Sequence, residues 1–171
     1  RLTGGRVFAT DHTNASRTLL FDINRLRWDD ELCQLWDVPR CALPEVRESF
    51  VEFGETTLDE LLKRPLPIRG VMGDSQASLF AHGCFAPGSA KVTFGTGSSV
   101  LLNIGSEARV SARGVLTALA WVRGGVPTYA LEGIIISSAA TLNWLRDQLC
   151  LARNIRSLER MAHAVDDNGG V

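Results

Sequence analysis

The sequence of 171 residues predicts an α/β protein in which the local pattern changes near the middle of the chain. In the first half, short apolar runs typical of strands alternate with segments that have the apolar spacing of helices. In the second half, several β-rich segments separated by glycines precede two helical segments. We therefore predict that the chain divides into two parts near the helix break at Gly83–Gly88.

The first predicted elements are a strand and a helix. The apolar run Leu19–Ile23 precedes a polar turn, which is typical of a strand. The acidic residues Asp29–Glu31 favour a helix start, because carboxylates stabilise the positive end of the helix dipole, and Pro39 ends that helix. The stretch that follows is rich in proline, and we predict only a short helix there, near Thr57–Lys63.

The second half begins with β-rich segments whose short spacing favours antiparallel hairpins. Two segments with helical periodicity follow them. The predicted strands are Ala90–Phe94, Ser99–Ile104, Val115–Val122 and Thr128–Leu131, and the predicted helices are Ser137–Leu149 and Ile155–Val165.

The composition excludes several classes of protein. Hydrophobic residues make up 45% of the chain and the formal net charge is −1, which is not the composition of a disordered chain. No uninterrupted apolar run approaches the roughly 20 residues of a membrane span. The basic residues are scattered and do not form the stripe that nucleic-acid binding needs. We expect neither a membrane nor a nucleic acid as a partner.

The four cysteines form no CxxC pair, and the three histidines lie far apart, so zinc-ligand spacing is absent. A chain of this length needs no disulfides for stability. Reduced thiols in a cytoplasmic protein are therefore expected.

The first candidate for chemistry is Asp74, where the predicted strand Pro67–Gly73 meets the predicted helix Ser75–His82. Ligands of α/β proteins bind at the carboxyl ends of strands, and a carboxylate there can accept a proton from a substrate hydroxyl. The alternative is that Asp74 is simply the helix N-cap.

The second candidate is the loop Gly95-Thr96-Gly97 between two predicted strands. Glycines let a backbone approach an anion closely, and a run of N–H groups with a hydroxyl can bind phosphate. The alternative is a plain hairpin turn whose glycines supply positive φ. Neither a Rossmann GxGxxG motif nor a Walker lysine is present.

Two further interpretations stay open from the residues alone. A serine hydrolase could use Ser75 in Gly73-Asp74-Ser75, although the GxSxG turn of that class is absent. Glu132, within a predicted strand, is either a buried, hydrogen-bonded acid or a second polar residue of the site.

Several motifs, in matching order and spacing, resemble glycerol kinases of the FGGY carbohydrate kinase family over essentially the whole chain. The motifs are Thr10–Ile23, Trp28–Asp29, Leu43–Val46, Gly73–Ala77, Thr93–Gly97, Ala130–Gly133, Trp144–Asp147 and Asp167–Val171. The resemblance implies an actin-like, ribonuclease-H-like ATPase fold with two domains and a substrate cleft between them. It implies phosphorylation of a polyol or sugar hydroxyl with ATP and Mg²⁺, and it allows a homo-oligomer.

The resemblance also implies roles for individual residues. Asp74 is the expected catalytic base; with Ser75 it would contact the substrate, and it would meet the metal through Mg-ATP. The expected nucleotide-binding residues are Gly95, Thr96, Gly97, Ala139 and Asn143.

Three of these positions depart from the family pattern. Glycerol kinases commonly carry Gln directly after the catalytic Asp, and this chain has the shorter Ser75. Ala139 and Asn143 stand where Gly and Gln are usual. The alternatives are therefore another FGGY sugar kinase such as a xylulokinase-like enzyme, and a non-catalytic binding protein with the kinase fold.

We expect the chain to be the central portion of such a kinase. Residues 1–84 would be the end of the N-terminal, substrate-side domain, and residues 85–171 the first part of the C-terminal, nucleotide-side domain. The family's N-terminal phosphate-binding segment, its substrate-binding Arg–Glu pair and its distal adenine-side glycines would lie outside these residues. We therefore predict that residues 1–171 alone do not phosphorylate a polyol, and turnover in an ATP-dependent assay of this chain would contradict that.

Overall fold

A computed structural model describes residues 2–112 and 114–170 of the chain. These residues form ten strands and five α-helices. The strands are β1 (Ala9–Asp11), β2 (Phe21–Asp22), β3 (Arg27–Trp28), β4 (Glu45–Arg47), β5 (Glu55–Thr56), β6 (Leu66–Pro67), β7 (Ala90–Phe94), β8 (Ser98–Gly105), β9 (Leu116–Arg123) and β10 (Val126–Ile135). The helices are α1 (His12–Ala15), α2 (Asp30–Leu35), α3 (Asp74–Ala81), α4 (Ala139–Asp147) and α5 (Ile155–His163), with a 3₁₀ turn at Arg40–Ala42.

The chain separates into two compact units. The first runs to Lys91 and resumes at Leu101–Gly133, and the second consists of Val92–Val100 and the residues from Ile134 onward. The predicted division into residues 1–84 and 85–171 refers to the domains of a longer protein, and it stays a prediction.

In the first unit, two strands distant in sequence lie side by side. Strand β1 pairs in parallel with β4, with Thr10 opposite Val46. Strands β9 and β10 are antiparallel, with Ala118 opposite Ala130, and the strand order of their sheet is β7–β8–β10–β9. Because α1 begins directly where β1 ends, the polar residues of α1 lie at the carboxyl end of a parallel strand pair.

Two apolar clusters form the core of the first unit. Phe21 and Trp28 meet edge to face at 5.4 Å in one of them, and Leu79, Leu101 and Ala120 are fully buried in the other. Tyr129 belongs to the first cluster, and its hydroxyl donates to the carbonyl of Ile23 at 2.9 Å. The core therefore ties the first strands of the chain to β9 and β10.

Most of the predicted helices are confirmed, with local causes. Helix α2 is capped by Asp29, whose carboxylate accepts from the N–H of Leu32 at 3.0 Å. Helix α5 begins with a capping box between Asn154 and Ser157. In the second half, each predicted strand and helix has its counterpart among β7–β10, α4 and α5.

The helix predicted near Thr57–Lys63 is wrong. Leu58, Asp59 and Glu60 all have positive φ, between 50° and 71°, which a right-handed helix excludes, and the segment forms turns. The strand predicted at Pro67–Gly73 is also wrong for most of its length, because β6 ends at Pro67 and the following residues have no regular structure.

No helix in the described ranges is long and apolar enough to cross a membrane. This finding agrees with the absence of long apolar runs in the sequence.

His12 lies in α1, buried beside the ring of Phe21 at 5.9 Å. Its burial lowers the pKa of the imidazole below the usual value of 6.5, while a backbone contact at Arg47 and the charges of Asp11 and Glu48 partly oppose that effect. The folded protein therefore holds His12 in its neutral form under conditions in which the unfolded chain takes up a proton.

We predict that His12 makes the protein less stable in weak acid. Since its folded pKa is lower than its unfolded pKa, the stabilisation is complete above pH about 6.5 and is lost as the pH falls below that value. Thermal unfolding of the full-length protein between pH 7.5 and 5.5 measures this loss. His12→Gln should flatten the pH dependence. Equal slopes in the wild type and His12→Gln would contradict the prediction.

Candidate functional site

The candidate site is built around the buried carboxylate of Asp11. Asp11 is the N-cap of α1 and is fully buried. Its two oxygens accept from the backbone N–H groups of Thr13 and Asn14, each at 3.1 Å. They also accept from the Thr13 hydroxyl at 2.7 Å, the Ser49 hydroxyl at 2.5 Å and the Asn14 amide at 2.6 Å. Five donors compensate the cost of burying this charge.

Thr13 carries this network to the segment that precedes α3. Its hydroxyl donates to Asp11 and accepts from the backbone N–H of Gly73 at 2.8 Å. A Cβ at Gly73 would lie 2.6 Å from Oε1 of the buried Gln76, so a side chain here would require the Gln76 amide to shift. The hydrogen bond from Gly73 therefore ties the backbone directly before Asp74 to Thr13, 60 residues earlier in the sequence.

Asp74 is the first residue of α3, and the N-cap position belongs to Gly73. The interpretation of Asp74 as the N-cap is therefore wrong. The Asp74 carboxylate is exposed, and its Oδ1 accepts from the N–H of the next residue, Ser75, at 2.7 Å. An exposed carboxylate on a fixed backbone can accept further hydrogen bonds from a ligand.

A cavity of about 270 Å³ opens beside Asp74 within the first unit. Six of the eight lining residues are polar or charged, and the lining comes from α1 and the turn after it, from the start of α3 and from β10. The lining residues are Asn14, Arg17, Met72, Gly73, Asp74, Ser75, Gln76 and Glu132. The volume and the amide, hydroxyl and charged groups suit a small molecule rich in oxygen.

Arg17 and Glu132 form an ion pair at the edge of this cavity, through Nη1 of Arg17 and Oε2 of Glu132. The Glu132 side chain is 6% exposed and that of Arg17 is 45% exposed. The interpretation of Glu132 as a buried, hydrogen-bonded acid is therefore confirmed, and Glu132 also lines the candidate cavity.

In the second unit, the loop Gly95–Gly97 is bound to the start of α4. The carbonyl of Gly95 accepts from the N–H of Ala139 at 3.0 Å. The carbonyl of Thr96 accepts from the N–H groups of Ser138 and Ala140 at 2.8 and 3.2 Å. The first N–H groups of α4 are thus already used within the protein, and a ligand at this loop must be bound by other groups.

Gly97 is required for a steric reason. A Cβ at this position would lie 2.6 Å from the carbonyl oxygen of Ile135 and 2.9 Å from that of Ile136. Neither Gly95 nor Gly97 has positive φ, so the interpretation of the loop as a turn that needs positive φ is wrong.

The five residues predicted to bind nucleotide all belong to the second unit, whereas Asp74 and Ser75 belong to the first. The Thr96 side chain is exposed in the loop. Ala139 and Asn143 are both exposed and, being four residues apart in α4, share one face of the helix. Within the second unit, the hydrogen bonds between the loop and the start of α4 therefore hold the Thr96 hydroxyl close to the helix that carries Ala139 and Asn143.

A metal ion would find only part of its ligands here. The described residues contain no group of three or more His, Cys, Asp or Glu side chains arranged to hold a metal. Mg²⁺ in phosphate-handling sites is commonly bound by one or two carboxylates with substrate phosphates. The exposed Asp74 carboxylate fits such a shared site as a single protein ligand.

The sequence analysis missed Asp11, Arg17 and the strand pair that positions them. The available signal was the run of polar residues Asp11–Asn14, which directly follows the short strand β1. A three-residue strand gives too little periodicity to be recognised from its pattern.

Comparisons with known proteins assign the chain to a family. Residues 1–81 match the model of the FGGY family of carbohydrate kinases, N-terminal domain. A glycerol kinase of Desulfitobacterium hafniense is 46% identical over 170 residues, which are 99% of this chain and 34% of that protein. A glycerol kinase of Methylobacterium nodulans is 51% identical over 166 residues, 97% of this chain and 33% of the relative. The chain thus spans about a third of the length of these relatives.

Solved structures agree in fold. The Plasmodium falciparum glycerol kinase with ADP superposes with a TM-score of 0.86 at 32% identity, covering 97% of this chain and 33% of that one. A xylulose kinase of Rhodospirillum rubrum gives a TM-score of 0.70 at 27% identity, over 87% of this chain and 30% of that one. These likenesses confirm the predicted α/β kinase fold, of which this chain is a part.

The match to the N-terminal domain model, the identity with the relatives and the shared fold lead to one conclusion: the chain belongs to the FGGY family of carbohydrate kinases.

Proposed function

We propose that the full-length protein transfers the terminal phosphoryl group of ATP to a hydroxyl of a small polyol or sugar, with glycerol as the leading substrate. The observation that carries the proposal is the exposed Asp74 carboxylate on a fixed backbone beside a polar cavity of about 270 Å³. The chain's 46% to 51% identity with two glycerol kinases supports the same substrate class.

In the proposed mechanism, the oxygen of the substrate hydroxyl attacks the γ-phosphorus of ATP, and Asp74 accepts the proton of that hydroxyl. Phosphoryl transfer depends mainly on positioning and on stabilising charge, so a carboxylate held in one place is the main requirement on this side. The bond from Gly73 to Thr13 supplies that fixed position, and Ser75 offers a hydroxyl to the substrate. When bound, Mg²⁺ would neutralise phosphate charge next to Asp74.

The proposed nucleotide side is the second unit. The exposed hydroxyl of Thr96 would bind a phosphate, with Gly95 and Gly97 allowing close approach of the backbone. Ala139 and Asn143 would contact the nucleotide from one face of α4. We assign residues 1–84 to the substrate-side domain and residues 85–171 to the nucleotide-side domain of a cytoplasmic enzyme, whose subunits would form a homo-oligomer.

A second candidate substrate is a ketose such as xylulose. The R. rubrum xylulose kinase shares 27% identity and the fold with this chain. In addition, Ser75 leaves more room beside Asp74 than the Gln that the resemblance predicts there. A panel of glycerol, xylulose and other polyols in one coupled assay would rank the substrates by kcat/KM.

We predict that Asp74→Asn in the full-length protein lowers kcat by about 10²- to 10⁴-fold, because the amide cannot take up the hydroxyl proton. ATP affinity, measured by calorimetry, should stay near the wild-type value. Asp30→Asn, at an exposed carboxylate of α2 that pairs with Arg40, is the matched control and should keep full activity. Near-normal kcat in Asp74→Asn would show that this residue is not the base.

Substitution of a proposed nucleotide-binding residue should change the KM for ATP and leave the KM for the polyol unchanged. Thr96→Val removes the loop hydroxyl with little change in volume, and we expect the KM for ATP to rise several-fold while the KM for the polyol stays the same. Thr141→Val, within α4, is the control for loss of a hydroxyl in the second unit. A change confined to the polyol KM would refute the assignment of Thr96.

Covalent labelling of Ser75 by a fluorophosphonate would instead support the hydrolase alternative.

A further inference from the structure

The ion pair between Arg17 and Glu132 joins a buried carboxylate to a half-exposed guanidinium, and a gain in stability does not explain this arrangement. Glu132 is buried on strand β10, opposite Leu116 in the register of β9, while Arg17 is about half exposed. Burying a carboxylate costs several kcal/mol, and a paired cation that is itself half hydrated offsets only part of that cost. Such a pair is better suited to holding the guanidinium in one orientation than to stabilising the fold.

Arg17 is held from a second direction through its backbone. Its N–H donates to the carbonyl of Asn14 at 3.1 Å, and the Asn14 amide donates to Asp11 at 2.6 Å. The carboxylate of Asp11 therefore fixes both the segment that carries Arg17 and, through Thr13, the segment that carries Asp74. A guanidinium has five N–H donors, and the bond from Nη1 to Glu132 uses one of them.

The charges around the cavity identify the kind of group that Arg17 suits. Among the described residues that line it, Arg17 is the one cation, and Asp74 and Glu132 are two anions. The hydroxyl groups of a neutral polyol need no cation, and Asn14, Ser75 and Gln76 already offer neutral partners there. A phosphoryl group that approaches Asp74 meets two negative charges, so it needs a positive group at that point.

We propose that Arg17 is a catalytic residue that binds the oxygens of the phosphoryl group during its transfer, and that Glu132 is the positioning residue that orients the guanidinium. The inference rests on the proposed kinase function. In this step the acceptor oxygen forms its bond to the γ-phosphorus while the bond from that phosphorus to the bridging oxygen of ADP breaks. Asp74 takes the hydroxyl proton, and Arg17 stabilises the charge on the equatorial oxygens through its planar fork of donors.

The test compares variants of the full-length protein in an assay of polyol phosphorylation. Arg17→Gln should lower kcat by about 10²- to 10³-fold, with the polyol KM changed less than about threefold. Arg17→Lys keeps the charge and should recover part of the loss. Arg25→Gln, which breaks the exposed pair with Asp22 outside the cavity, is the control and should have wild-type kinetics.

Glu132→Gln separates positioning from direct contact. It should lower kcat in the wild-type background and have no further effect in Arg17→Gln, because the residue it orients is then absent. Addition of guanidinium ion to Arg17→Ala should restore part of the turnover, which a purely structural role of Arg17 would not allow. This rescue also keeps the test decisive if the variants are less stable.

The outcomes distinguish the inference from the function on which it rests. A wild-type enzyme without phosphorylation of any polyol or sugar overturns both. An active wild type in which Arg17→Gln keeps its kcat overturns the inference alone. A rise in the polyol KM alone also overturns the inference, since Arg17 would then bind the acceptor. Failure of guanidinium ion to restore turnover of Arg17→Ala overturns it as well.

Discussion

The burial of one carboxylate, Asp11, determines the geometry of the proposed substrate side of this protein. A fully buried charge requires donors on both oxygens, and five of them come from Thr13, Asn14 and Ser49. Ser49 lies 38 residues after Asp11 in the sequence, so satisfying the charge draws β1, α1 and the residues after β4 together. Leaving a buried polar group without one of its partners costs about 1–3 kcal/mol, and more when the group is charged, so each donor is held in its place.

Two groups of the proposed site depend on that constraint. Thr13 passes the constraint to Gly73 and hence to Asp74, while Asn14 passes it to the backbone of Arg17. Catalysis by positioning needs groups held to within a fraction of an ångström, and neither Asp74 nor Arg17 is held by its own side chain alone. The polar run Asp11–Arg17 thus positions both groups, Asp74 through Thr13 and Arg17 within the run itself.

The second unit follows a different principle. There the constraint is steric and uses the main chain, because Gly97 admits the carbonyl of Ile135 at a distance that any Cβ would prevent. The carbonyls of the same loop occupy the first N–H groups of α4, so the loop and the helix form one element. The proposed nucleotide side is accordingly a backbone structure, with Thr96 as its exposed polar group.

Much of this could be predicted from local sequence. The helix after Asp29 and the strand Ala90–Phe94 were predictable, because caps, acidic first turns and glycine spacing act over a few residues. Asp74 was recognisable as a candidate site residue from its position at the start of a helix, and its role stays a proposal. Strands β1 and β4 were not predictable, since each has three residues and the paired residues are 36 positions apart. Leu58–Glu60 has the composition of a helix and a backbone that excludes one.

The family resemblance identified a motif around Asp11 without its physical role, because the five donors meet only in the folded chain. The same holds for Arg17 and Glu132, which are 115 positions apart and form a pair only after β10 has joined the first unit. Hydrophobic periodicity in a sequence identifies helices and strands, which form from residues close together in the chain. Polar contacts between distant residues leave no such periodicity, so the sequence does not reveal them.

The measurement that tests the central claim most directly is a double-mutant cycle between Thr13 and Asp74 in the full-length protein. Thr13→Val keeps the volume but removes the hydroxyl that joins Asp11 to Gly73, while Thr13→Ser keeps the hydroxyl as a control. If Thr13 acts by placing Asp74, Thr13→Val lowers kcat by about 10- to 100-fold in the wild type and has no further effect in Asp74→Asn. Independent, multiplicative losses in the double variant would contradict the account.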